Sequence, residues 1–491
     1  MKIIAGKSVY KDGKELTERG ILVEDGTISK IDFLTTLKEQ FPFAEVINCD
    51  GFIYPAFFDS HIHLGELSLL LSSIDGGCIK SLDELKNIAK AKREEPVYIY
   101  NLDFNNLSAP DWVVLFKIPL KIFIQSRDVH SIFVSKAFLE EKGIQLWEVP
   151  GGELKRYNGQ FTGIFKDNAI DLVRNIKERE ISKADFENTE NYLLQRGITA
   201  VTNFDFQIYP LVSHLYRDSE LMIRIVQGLK KEFLPDIIKE GIRTGDGNDK
   251  LRFGPIKCFM DGSLGSQTAR MKESAPFRGI LTMEREELRE IISIANSNGL
   301  QVAVHAIGDE AVKIVLEEIK CSGIPHLRNR VEHLQFFDKE DLPLLKEAPF
   351  VPSMQPAHIL SDYKILKKIL RDRLFSYAWN TVHNCLKTLA FGSDAPVEDA
   401  SPIRGIYAAT SRIPDGVEEP FQDEECISRE EALGAYTYGS SFANFIEKEL
   451  GKIEEGYQAD LVVLKKSLFN DMININEVNL TMSAGRIIWM K

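Results

Sequence analysis

Five short stretches of this chain carry side chains that could hold a metal ion or move a proton. The first is Asp59-Ser60-His61-Ile62-His63, which follows the strongly apolar segment 51–58. Residues two apart in a strand face the same side, so His61 and His63 would point together and could share one ion. The other reading is two hydrogen-bonded histidines at a strand end. His305 closes Gln301-Val302-Ala303-Val304, and His333 closes Arg330-Val331-Glu332; each alone reads equally as a satisfied buried histidine. Yet the chain has nine histidines, and four of them end apolar β-type segments, which makes coincidence the weaker reading. Lys257 lies inside the apolar run Gly254-Pro255-Ile256-Lys257-Cys258-Phe259-Met260, where an inward charge is costly unless neutralised or paired. It either points out to solvent or is carbamylated by carbon dioxide, giving a carboxylate that bridges two metals. Asp394 follows Leu389-Ala390-Phe391-Gly392-Ser393 and reads as a turn or N-cap aspartate, or as a further ligand.

These residues need elements that bring them together. Apolar strands are expected at 52–58, 199–203, 222–227, 252–260, 301–305, 330–333, 350–353 and 388–391. Amphipathic helices are expected between them, among others at 285–296, 310–320 and 339–346. This alternation marks parallel βα units and predicts an α/β fold, a (β/α)8 TIM barrel whose strand ends converge on an active site. Ser401-Pro402 reads as an N-cap with proline at the first helical position, and Ser428-Arg429-Glu430-Glu431 as a capping box.

The stretch between the first two expected strands is too long for a plain loop. It has its own strand patterns at 97–100 and 121–124 and helical patterns at 131–142 and 168–177. Residues from about 70 to 180 are therefore expected to form a subdomain inserted after the first barrel strand and overhanging the site. Trp112, Phe116, Phe133 and Trp147 are candidates to line a pocket there, with subdomain packing the commoner role. Both ends of the chain read as short strands, with hairpin turns at Asp12-Gly13 and Asp25-Gly26. Residues 1–50 and 445–491 are expected to build one small β-sandwich domain, and 51–444 the barrel.

Across 491 residues, 60 Lys and Arg face 73 Asp and Glu, a formal charge of −13, which argues against a nucleic-acid partner and leaves a small-molecule substrate. No run approaches the roughly 20 apolar residues that span a bilayer, and the charged N-terminal segment does not read as a signal peptide. Cys49, Cys78, Cys258, Cys321, Cys385 and Cys426 are scattered without a CxxC pair, which suits reduced thiols and a cytoplasmic location. A homodimer is the working expectation for assembly.

Taken in order, these segments resemble the amidohydrolase superfamily, in particular its N-substituted formamide deformylase-like branch (amidohydrolase family 3). The matching motifs are Asp59–His63, Lys257 to Ser266, Val304-His305-Ala306-Ile307-Gly308-Asp309, Val331-Glu332-His333-Leu334-Gln335 and Gly392-Ser393-Asp394-Ala395-Pro396. The tail Gly451-Lys452-Ile453-Glu454-Glu455-Gly456 to Leu464 resembles the family's return into its sandwich. The resemblance implies two divalent ions, His61 and His63 holding one and His305 and His333 the other. Carbamylated Lys257 would bridge them and Asp394 would touch the first. Zinc suits the imidazole-rich set, with Fe, Mn, Co and Ni as alternatives.

The insertion resembles the branch too: Asp128-Val129-His130 stands where it usually carries Asp-Gly-His, so His130 is a candidate substrate contact although valine replaces glycine. Asp261, Gln335 and His358 (in Gln355-Pro356-Ala357-His358) are further candidates. The implied activity is hydrolysis of an amide- or formamide-type C–N bond by metal-activated hydroxide, with Asp394 as general base and acid. The alternatives are a deaminase, an ester or lactone hydrolase on the same barrel, and a non-catalytic binding protein. Lys257 argues against the deaminase, and the complete ligand set against the binding protein.

Overall fold

Apolar runs rich in β-branched residues supply the strands at the centre of the molecule, seen here in a computed structural model that describes residues 1–491 apart from 92–95, 174–175, 177–179, 273–276 and 471–476. The largest sheet contains β1 (Phe57–Ile62), β2 (Ile198–Asn203), β3 (Arg224–Lys230), β4 (Leu251–Phe259), β5 (Val302–Ala306), β6 (Arg330–His333), β7 (Val351–Met354) and β8 (Ala390–Phe391). The strands lie side by side in chain order, and each pairing between neighbours is parallel. Just beyond β8, the Asp394 N–H donates to the His61 carbonyl at 2.7 Å and the His63 N–H to that of Ala395 at 2.9 Å, drawing the last strand back to the first. A Cβ on Gly392 would come within 2.5 Å of the His61 amide nitrogen, so this close approach depends on glycine. The architecture is the (β/α)8 barrel that the alternation predicts.

The helices between strands bury one stripe each. Arg285–Ser297 buries Leu288, Ile292 and Ala295, and Asp309–Ser322 buries Val312, Val315, Leu316 and Ile319, spacings of three and four that place one face on the sheet. Both expected helix starts form: the Ser401 hydroxyl accepts from the Arg404 N–H, and Ser428 and Glu431 exchange reciprocal bonds.

The expected first strand, 52–58, is two strands. Phe52–Pro55 pairs with Leu461–Leu464 in a six-stranded sheet, whereas Phe57 onward pairs with β2. The partner changes at Ala56, whose N–H reaches Asp460 while that of Phe57 reaches Gly197. The chain termini supply the rest of that sheet and a second one of four strands. Ile4, Ile21, Val23, Ile53, Leu461 and Leu480 form a core shared by strands of both, a sandwich. Both Asp-Gly turns close two-residue hairpins, with φ positive at Asp12, Gly13, Asp25 and Gly26.

Between β1 and β2 the chain builds a separate six-stranded sheet with its own apolar clusters around Phe123, Val134 and Phe165 and around Ile99, Trp112 and Ile124. The expected helix at 131–142 begins instead as strand Ser131–Val134, held between two antiparallel neighbours, and turns helical at Lys136–Glu141. The β-branched and aromatic run Ile132-Phe133-Val134 gains more from the sheet than from a helical turn. The expected helix at 168–177 begins as a 3-10 helix, Asn168–Val173, and 174–175 and 177 lie outside the described residues. Among the described residues no helix is long and apolar enough to cross a membrane.

A buried ion pair fastens barrel to sandwich. Arg224 on β3 donates to Asp460 and to the Ser483 hydroxyl, and Asp460 also accepts the Ala484 N–H at 2.8 Å. Replacing Asp460 with alanine strands a guanidinium in the interior, so Asp460→Ala should cost about 3–5 kcal/mol. The urea midpoint measures this, and an unchanged midpoint would contradict it.

Candidate metal centre

His61, His63, Lys257, His305, His333 and Asp394 all line one cavity of about 630 Å³. They come from β1, β4, β5, β6 and the turns after β1 and β8, so the barrel's strand order alone brings them together. Asp394 Oδ1 lies 3.2 Å from His63 Nε2 and 3.5 Å from His61 Nε2. Lys257 Nζ is 3.5 Å from His61 Nε2, and the His305 and His333 rings have centroids 4.4 Å apart. Potential ligand atoms of His61, His333 and Asp394 lie within 4.8 Å of one another, a group that could hold a metal ion. That group draws on both halves of the ligand division implied by the resemblance.

Backbone geometry at the strand ends aims these groups. His333 has φ of +72° and Asp394 of +60°, left-handed values that are unfavourable for residues other than glycine, at on the order of 1 kcal/mol or more each. Adjacent residues of a regular strand face opposite ways. The turn at His333 lets Glu332 and His333 both serve the site.

Each first-strand histidine is fixed by a carboxylate behind it. His61 Nδ1 meets Glu332 Oε2 at 2.6 Å, and His63 Nδ1 meets Asp205 Oδ1 at 2.9 Å. Both rings therefore present Nε2 toward Asp394, the arrangement that raises the basicity of a ligating imidazole. Burial holds His61 down to about 4 and keeps His305 and His333 well below the usual imidazole range. For His63 burial is outweighed by Asp205 and Asp394, which push it up to about 10, so ligation there competes with a proton. Asp394 would be raised by burial, but His61, His63 and His333 hold it well below the normal carboxylate range. Burial pushes Lys257 down to about 8, against the pull of Glu332 and Asp394.

The donors suit a divalent cation. Three imidazoles are held neutral, one carboxylate is anionic, and His333 Nδ1 is buried with no hydrogen-bond partner.

Of the four candidate substrate contacts, His130 and Asp261 line this cavity, whereas Gln335 and His358 line the one that adjoins it, and they differ in how free they are. His130 Nδ1 is anchored on Asp167 Oδ1 at 2.7 Å, its ring centroid 5.2 Å from that of His305. His358 Nε2 is 3.5 Å from Asp394 Oδ2, and its Nδ1 is 3.3 Å from Gln335 Nε2. Asp261 lines the cavity, but its oxygens accept the N–H groups of Ile307, Gly308 and Arg270, which braces the turns after β4 and β5. Trp112 and Phe133 are buried in the inserted sheet, Trp147 is largely exposed, and none of these nor Phe116 lines the cavity. The aromatic wall is Phe204, Phe206, Phe233 and Phe259 instead. Sequence reasoning also missed Glu332 and Asp205. Glu332 stood beside His333 in its motif, while nothing local marks Asp205.

A second cavity of about 520 Å³ shares His130, His305, His333 and Asp394 with the first. The candidate centre thus lies between two chambers.

The amidohydrolase family's sequence profile matches residues 45–489. The chain belongs to this family. YtcJ of Bacillus subtilis (strain 168), named as an amidohydrolase, is 30% identical over 524 residues, covering 96% of each chain. The N-substituted formamide deformylase of Arthrobacter pascens is 21% identical, covering 93% of this chain and 91% of that one. The crystal structure of an uncharacterized metal-dependent hydrolase from Pyrococcus horikoshii OT3 superposes with a TM-score of 0.80 at 25% identity, over 97% of this chain and 99% of that chain. The chain is a metal-dependent hydrolase of this family, and the donors described above form its candidate metal site.

Glu332 offers a test that does not depend on turnover. Glu332→Gln keeps the shape but removes the charge behind His61, so affinity for the ion should fall about 10–100-fold. Competition against a chromogenic chelator measures this, and unchanged affinity would remove Glu332 from the centre.

Proposed function

We propose that this amidohydrolase cleaves a non-peptide C–N bond of the amide or formamide type. One observation carries the reading: the Asp394 carboxylate stands within 3.2–3.5 Å of the Nε2 atoms of His61, His63 and His358, at the meeting point of two chambers. His61, His63 and Asp394 would hold one ion and His305 and His333 a second, with Lys257 as a carbamate between them. Zinc fits these donors. Bound divalent ions lower the pKa of water toward neutrality and polarise a carbonyl oxygen.

The chain's own groups do the rest. Asp394, kept anionic by its imidazoles, takes a proton from the attacking water and returns it to the departing nitrogen. His358, braced by Gln335, lies on the far side of Asp394 and hydrogen-bonds the substrate. His130, anchored through Nδ1 on Asp167, leaves its other ring nitrogen for a substrate oxygen. Lys257, lowered by burial, retains a neutral amine fraction, and the neutral amine is the form that adds to carbon dioxide. The formamide class finds support in the name of the Arthrobacter pascens relative.

With N-formyl and N-acyl amines as substrates, Asp394→Asn should lower kcat by about 100-fold or more. Turnover above about a tenth of the parent's, in protein of equal metal content, would overturn the proton-transfer role. Ion reconstitution of the apoprotein should respond to added bicarbonate, and Lys257→Met should abolish both the response and the binding of a second ion. Equal reconstitution in carbon-dioxide-free buffer would exclude the carbamate.

A further inference from the structure

The second chamber reaches groups that the first does not. Four of its lining residues are lysines, and besides Lys166 they come from separate parts of the fold: Lys155 on strand Gly152–Tyr157 of the inserted sheet, and Lys364 and Lys368 on the helix His358–Ile369 that follows β7. Among the described residues, no carboxylate lies within 4.0 Å of the ammonium groups of Lys155, Lys364 and Lys368. The acids nearby are already engaged. Asp103 caps its own turn at Asn105, Asp362 accepts the Tyr377 hydroxyl at 2.6 Å, and Glu398 is held by Arg127 at 2.8 Å and by the Ser361 hydroxyl at 2.5 Å. Asp128 accepts from the hydroxyls of Ser126, Ser263 and Ser266.

Lys155 is only partly exposed and stands near a second ammonium, Lys166, which itself donates to the Ser266 carbonyl at 2.6 Å and lies 3.5 Å from Glu153. Burial first, and then Lys166, push the Lys155 amine down, with Glu153 a smaller counterweight. Lys364 and Lys368 are exposed, so of the three Lys155 alone is a partly desolvated cation without a carboxylate at hand, an unfavourable arrangement that an anion relieves.

We propose that the second chamber is the subsite for an anionic arm of the substrate, a carboxylate-terminated chain whose end is held by Lys155, Lys364 and Lys368. This rests on the amide-hydrolysis reading and deepens it by naming a substrate class. His358 opens the helix that carries two of the lysines, six and ten residues further on. At 1.5 Å per helical residue these lie about 9 and 15 Å from the His358 end, which sets the length of the arm. The substrate is bipartite. Its scissile bond sits at Asp394, its charged end lies among the lysines, and its other side rests against Phe204, Phe206 and Phe259.

Two matched pairs test this, because the charge could sit on either side of the scissile bond. The first pair is the N-formyl derivative of ω-aminocaprylate and its methyl amide, and the second is suberate monoanilide and its methyl amide. In one pair at least, the carboxylate should exceed its neutral partner by about tenfold in kcat/KM, and the ratio should fall to near one in the Lys155→Met, Lys364→Met, Lys368→Met variant or in high salt. A ratio near one in both pairs for the parent protein, or a ratio unaltered in the variant, would overturn the proposal. Calorimetric binding of suberate to the parent and the variant gives a readout without turnover. If no amide is hydrolysed but suberate binds the variant about tenfold more weakly, the reaction assignment fails while the anion subsite stands. Equal binding overturns the subsite.

Discussion

Arg330 is wholly buried in the barrel interior, and the rest of the structure is arranged around satisfying it. Its guanidinium donates to Glu332 at 2.7 Å, to the Ser60 carbonyl at 2.6 Å, to the Ser353 hydroxyl at 2.9 Å and to Asn444 at 3.3 Å. Those partners belong to β1, β6, β7 and the end of the short helix Ser440–Ala443. A lone guanidinium in this interior would cost several kcal/mol, and only the correct register of three strands supplies its acceptors. The second oxygen of Glu332 then fixes His61. One charge network therefore sets both the strand register and the orientation of a ligand, and Arg330, Glu332 and His61 are best regarded as one unit.

The seam between β8 and β1 works in a similar way. Asp59 accepts the His61 and Ser393 N–H groups and the Ser393 hydroxyl, so its carboxylate stitches the last strand to the first directly beneath Asp394. Burial raises Asp59 to about 7 even so, with the Ser393 and His61 hydrogen bonds opposing the rise. The two ends of the barrel sheet meet where the ligands converge, and the left-handed backbone at Asp394 is the local cost of turning its carboxylate inward. Strain of this kind survives only where the surroundings over-determine the conformation, and here backbone and side-chain bonds from both strands do so.

Much of this was legible in the chain because it is local. The alternation of apolar strands with amphipathic helices, the Asp-Gly hairpins, the capping serines and the placing of histidines at strand ends are patterns within a few residues of one another. What escaped was what depends on partners. Ile132-Phe133-Val134 was expected to be helical with the residues after it, and its pairing with Ile122–Ser126 across a short turn and with the more distant Gln160–Asp167 makes it a strand. The run 52–58 looked like one strand because nothing in it announces that Ala56 changes partner between two sheets. Glu332 read as an ordinary strand residue until the closing of the barrel brought its carboxylate across to His61 on β1. The aromatic wall likewise came from the turns after β2 and β3 and the end of β4 rather than from the aromatic-rich insertion, whose rings were mostly needed for its own core.

The division of labour between barrel and insertion follows from where they touch. Asp128 of the insertion accepts the hydroxyls of Ser263 and Ser266 in the turn after β4, and Lys166 adds a bond to the Ser266 carbonyl. Lys257, on β4 itself, is held among Phe204, Phe259 and His61 without any insertion residue. The contact thus fastens the insertion to a loop and leaves the ligand-bearing strand untouched. Changes in the insertion would move His130 and Lys155, the groups proposed to face substrate, before they moved any candidate ligand. Barrel enzymes change specificity through loops and keep their chemistry on strand ends, and here the loop contact through Asp128 is the joint that permits it.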